Sequence, residues 1–123
     1  MDFNIVKRQI ISAYLSIYGT DNSDKQWSLG DCLDVFRYYY RAYKAKFKRD
    51  HPKLKTSTIK EIIYALPEAV DEDTDTTFDL DPTDYPDLIK VYFKSTFAEG
   101  CDYSIAHFMS GKIRLMKYYE ALY

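Results

Sequence analysis

Two blocks of charge are the residues in this chain best placed to do chemistry. Residues 35–60 carry nine Lys and Arg against one acid, Asp50, whereas residues 61–89 carry ten Asp and Glu and no Lys or Arg. In the basic block Arg37, Arg41, Lys44 and Lys48 recur at steps of four and three. On a helix that spacing puts them along one face, where successive cations can meet successive phosphates of a nucleic-acid backbone. Tyr38 and Tyr39 stand beside them and could stack on a base. Lys46, Arg49, Lys53 and Lys55 extend the positive surface. In the acidic block Asp71, Glu72, Asp73, Asp75, Asp79 and Asp81 form a strip of carboxylates. Such a strip can imitate phosphates and occupy a cationic groove, because a groove of that kind reads charge before sequence. Each reading has a plainer competitor: a solvated helix face, a solvated loop, or two blocks that neutralise each other inside the fold. The net charge of -2 and the isoelectric point near 5.6 count against a dedicated DNA-binding protein, which usually carries a basic domain.

The soft ligands offer less. Cys32, Cys101, His51 and His107 are the only ones, and no two stand at zinc spacing. A Cys/His nucleophile pair has no supporting local signature. Asp71, Asp73, Asp75 and Asp79 fit four ligand positions of a calcium loop, but Thr76 stands where its turn needs glycine and Pro82 where its closing glutamate belongs. There is no P-loop, GxGxxG, HExxH or GxSxG. The expectation is a non-enzymatic protein with no catalytic residue, no metal and no cofactor.

The elements that must hold these residues read as helices. Ser28 to His51 has an apolar stripe of Leu29, Cys32, Leu33, Phe36, Tyr40, Tyr43 and Phe47 about 100° around the axis from the cationic one. Ser28 and Asp31 suggest a capping box at its start, and His51-Pro52 its end. A first helix is expected over residues 4–18, closed by Gly19 and followed by a polar loop over 20–26. Thr58 and Glu61 suggest a cap for a short helix stopping at Pro67. Asp81-Pro82 or Asp84 to Asp87 opens the next, which runs past Phe97 to Gly100. Asp102 can cap a short helix through Phe108, and a terminal helix follows Ser110-Gly111.

The whole is expected to be all-α, a compact bundle of five to six helices in one domain spanning residues 1–123, with an irregular acidic connection at 68–81 and no strand pair. Thirteen Tyr, seven Phe and one Trp make an unusually aromatic chain, and tyrosine suits both cores that reach the surface and interfaces because it joins an apolar ring to a polar tip. No apolar run nears the length of a membrane span and no signal-peptide core follows Met1. A cytoplasmic setting with both thiols reduced is therefore expected.

The run Asp102 to Arg114, followed by Tyr118-Tyr119-Glu120, is similar to the tail of small accessory proteins encoded on phages and integrative mobile elements of Gram-positive bacteria. Tyr38-Tyr39-Tyr40 and the Ile59 to Pro67 segment resemble the same group. The resemblance implies a setting, in which small proteins control transcription or replication or block host defences such as CRISPR nucleases. It carries over no functional residue. The expected function is a protein that binds and blocks or modulates a macromolecular partner, most concretely an anti-CRISPR-like inhibitor using the acidic strip as a DNA mimic with a tyrosine-rich surface. The alternative is a nucleic-acid-binding regulator using Arg37, Arg41, Lys44 and Lys48. A protein or nucleoprotein partner, nucleic acid and a homodimer all stay open; a membrane is not expected.

Overall fold

The computed structural model describes residues 3–19, 27–95, 101–110 and 113–122. Helix α1 spans Phe3–Tyr18 and ends where Gly19, at φ 63°, donates its N–H to Leu15 O at 2.8 Å. That left-handed turn is one glycine enters without a Cβ penalty. Helix α2 spans Leu29–Phe47, and the Ser28 hydroxyl caps it by accepting from Asp31 N at 3.1 Å. It stops before the expected His51-Pro52 boundary. Lys48 adopts φ 57° and bonds back to Lys44 O, which reverses the chain.

Helix α3 spans Thr56–Ala65. The expected Thr58 cap does not form: the helix starts two residues earlier, Lys55 stands at the N-cap with no side-chain bond, and Thr58 lies inside the first turn. A short 3-10 turn, Pro82–Asp84, leads into α4, Tyr85–Lys94, and Asp84 Oδ2 accepts from Asp81 N at 2.8 Å at that entry. Helix α5 spans Ile105–Met109; its cap is Ser104, whose hydroxyl accepts from His107 N at 3.2 Å, and not Asp102 as expected. Helix α6 spans Ile113–Leu122. The expected loop at 20–26 lies outside the described residues. Helix α4 does not run past Phe97 to Gly100 as expected: it ends at Lys94, where Ser95 turns extended at ψ 149° and gives its N–H to Tyr92 O at 3.1 Å.

Among the described residues the fold is mostly helical, with six α-helices, but it is not strictly all-α. The acidic connection expected to be irregular over 68–81 folds as a hairpin. Strand β1, Glu68–Asp71, pairs antiparallel with β2, Thr76–Asp79, in a register that sets Ala69 opposite Phe78 and Asp71 opposite Thr76. Asp71 Oδ1 accepts from Asp73 N at 3.0 Å, a local turn that aspartate favours, and Asp75 takes φ 53° to close the loop. The inward face holds only Ala69, Asp71 and Phe78, with Phe78 against the rings of Tyr118 and Tyr119 at 5.2 and 5.7 Å.

The core lies among helices packed in pairs: α2 against α1 and α4, α3 against α1 and α5, and α6 against α4 and α5. Tyrosines tie it together. Tyr39, fully buried, donates to Tyr103 O at 2.7 Å, Tyr85 donates to Leu66 O at 2.6 Å, and Trp27 Nε1 reaches Leu80 O at 3.1 Å. A buried ring can stay there only if its hydroxyl finds a partner. Arg114 of α6 does the same for a helix end. Its guanidinium donates to Glu68 O at 2.9 Å, to the Tyr85 hydroxyl at 3.0 Å and, most closely, to Ala65 O. It thereby satisfies the last carbonyl of α3 and the first of β1.

Candidate functional site

The cationic face of α2 is one wall of a cleft. Phe3, Asn4 and Lys7 line it from α1, Arg37, Tyr40, Arg41 and Lys44 from α2, and Asp50 and His51 from the chain just after α2 turns back; the cavity measures about 380 Å³. Helical geometry explains both walls. Residues three and four apart share a face, so Phe3, Asn4 and Lys7 project together, as do Arg37, Tyr40, Arg41 and Lys44.

Four cations face one carboxylate there. Arg37 bonds Asp34 on its own helix at 3.2 Å and lies over the Phe3 ring at 5.4 Å. Lys44 pairs with Asp50 at 3.3 Å, with both side chains well exposed. Lys7 and Arg41 have no carboxylate partner among the described residues. His51 adds shape rather than charge. Its Nδ1 donates to Pro52 O at 2.7 Å and its Nε2 accepts from Ile105 N at 2.9 Å, which fixes the neutral tautomer. Burial holds its pKa below the usual histidine value. Its ring stacks on Tyr40 at 4.2 Å, and burial pushes the Tyr40 hydroxyl up, so that phenol stays protonated.

Three of the four cations singled out on α2, Arg37, Arg41 and Lys44, line this cleft. Lys48 does not: it is the exposed left-handed residue that ends the helix. Lys46 bends away to Phe93 O and lies over the rings of Phe47, Phe93 and Tyr103. Tyr39 is buried and cannot stack on a base, whereas Tyr38 is half-buried. Lys7 and Asp50 are the additions. Nothing in the α2 pattern points to Lys7, since its place opposite Arg41 comes from how α1 packs.

The acidic residues divide. Asp71 faces inward, where the Tyr119 hydroxyl donates to its Oδ2 at 2.8 Å and, with help from the Asp73 amide, keeps its pKa low. It serves the hairpin and leaves the outer strip. Glu72, Asp73, Asp75, Asp79 and Asp81 are exposed. Among the described residues no ion pair joins the basic block to the acidic one. The tyrosine surface is smaller than the composition suggests: Tyr14, Tyr39, Tyr43, Tyr85 and Tyr92 are buried, and among the described tyrosines only Tyr64 is widely exposed.

Cys101 and His107 meet away from the cleft, with Sγ 3.5 Å from Nδ1, and the Tyr92 hydroxyl sits 2.7 Å from the same nitrogen. Cys32 is buried elsewhere and its thiol is pushed up to about 12 by that burial. Among the described residues no group of three or more His, Cys, Asp or Glu is placed to hold a metal ion, and no helix is long and apolar enough to cross a membrane. No family model, curated protein or solved structure matches the chain.

Proposed function

We propose that this chain is a non-enzymatic binding protein that holds the phosphate backbone of a nucleic acid against the cationic face of α2, in the manner of a small regulator. The observation that carries this reading is the cleft in which, among the described residues, Lys7 and Arg41 have no carboxylate partner while Arg37 and Lys44 line the same space. The helix backbone fixes where these cations start, so a phosphate has only their side chains to order, at about 0.5–1.5 kcal/mol each. The resemblance to proteins of mobile elements suits such a role. Fluorescence anisotropy with labelled DNA and RNA should show association that weakens with salt, with a log–log slope of roughly -3 for three or four phosphates engaged. Lack of association even at about 50 mM salt sinks the reading.

A second reading, an anti-defence inhibitor, is favoured by one specific observation: the exposed carboxylates sit on an ordered hairpin rather than a loose loop. Glu72, Asp73 and Asp75 at its turn are the residues to reverse to lysine, leaving Asp71 intact because it supports the fold. A pull-down from host lysate with and without nuclease separates the two. Nuclease-sensitive capture supports the cleft, and nuclease-resistant capture lost in the triple reversal supports the hairpin.

A further inference from the structure

We propose that the cleft between α1 and α2 selects a triphosphate group, carried by a free nucleoside triphosphate or by the triphosphorylated 5′ end of a transcript, over the internal phosphates of a strand. This rests on the reading of the cleft as an anion site and narrows what fills it. Its cavity of about 380 Å³ is near the lower end of small-molecule sites. Yet Lys7, Arg37, Arg41 and Lys44 all line that space, against Asp50 alone.

An internal phosphodiester brings a single negative charge with each nucleotide, so a strand lying along the face of α2 meets these side chains one phosphate at a time. A triphosphate brings three phosphoryl groups in one place. Along α2 the three cations are spread over about 10 Å of axis at the rise of a helix, and Lys7 faces them from α1. A compact polyanion can be reached from both walls at once. The neutral His51 and the protonated Tyr40, stacked on each other, give the cleft an uncharged flank that does not compete for the ligand. Arg37 already shares its fork with Asp34, and Lys44 its amine with Asp50. Lys7 and Arg41 therefore carry the selectivity.

The test is calorimetric titration of the full chain with inorganic phosphate, tripolyphosphate, a nucleoside triphosphate, and a short single-stranded RNA bearing either a 5′-triphosphate or a 5′-hydroxyl. Tripolyphosphate should bind at least about tenfold tighter than inorganic phosphate, and the 5′-triphosphate RNA at least about tenfold tighter than its 5′-hydroxyl twin. Lys7→Ala and Arg41→Ala should each weaken tripolyphosphate about tenfold while leaving the melting curve and circular dichroism unchanged. Equal affinity for the free nucleotide and the 5′-triphosphate RNA assigns the site to nucleotides, and a further gain for that RNA assigns it to transcript ends. Equal binding of both RNAs with no response to tripolyphosphate overturns the selectivity and leaves the nucleic-acid reading intact. No response to any of the five probes overturns both.

Discussion

Arg114 and Arg41 place the same guanidinium in opposite surroundings. Arg114 is buried on α6 and gives its N–H groups to Ala65 O, Glu68 O and the Tyr85 hydroxyl. Arg41 stands exposed on the wall of the cleft with no carboxylate partner among the described residues. Among the described residues neither is paired with an acid, so a salt bridge does not tell the two arginines apart. The distinction is whether the backbone has already filled its donors. A guanidinium whose donors end on main-chain oxygens holds elements together; one whose donors end in solvent beside other cations is available to a ligand.

Replacing Arg114 should have the largest effect. Arg114→Leu strands the Ala65 carbonyl at the end of α3 and the Glu68 carbonyl of β1, and should lower unfolding free energy by roughly 3 kcal/mol or more in a urea titration. Tyr85→Phe removes the hydroxyl that both receives Arg114 and donates to Leu66 O, and about 1–2 kcal/mol should go with it.

Acid gives the next effect, through His51. Its folded pKa lies below the unfolded value, so as pH falls through about 6.5 the unfolded chain takes up a proton that the folded chain refuses. Stability should therefore drop by up to about 1.4 kcal/mol per pH unit until the folded pKa is reached. His51→Gln should flatten that part of the pH profile. Asp71 acts in the same direction at lower pH. The Tyr119 hydroxyl lowers its folded pKa, so its contribution disappears as pH falls below the usual carboxylate range, and Tyr119→Phe should move the acid unfolding midpoint upward.

Arg41→Ala should have the smallest effect on stability, within about 0.5 kcal/mol, while reducing the magnitude of the salt slope of nucleic-acid binding by about 1. A large loss of stability in Arg41→Ala, or none in Arg114→Leu, would break the contrast between the two arginines.

Much of the fold was legible because helices announce themselves by period and cap. Ser28 with Asp31, and Gly19, stand where the spacing places them. The hairpin did not, because its strands are four residues long and its inward face mixes Ala69 with an aspartate. Burying Asp71 depends on Tyr119, far along the chain, and no local pattern records that. Ser104 displaced Asp102 as the cap of α5 for a local reason instead: the Asp102 carboxylate accepts from Ser104 N, two residues on, at 3.0 Å, and the Ser104 hydroxyl takes the cap. For the cleft, the α2 stripe gave three wall residues, but the opposite wall depends on the packing of α1 and the third side on where α2 ends.

That ending rests on one torsion. Had α2 run on to His51, Asp50 and His51 would continue along its axis and the cations would line an open ridge. With Lys48 turned left-handed, the segment that follows returns alongside α2, where the His51 ring stacks on Tyr40, and a ridge becomes a recess. The shape of the cleft is thus encoded at a residue that does not line it.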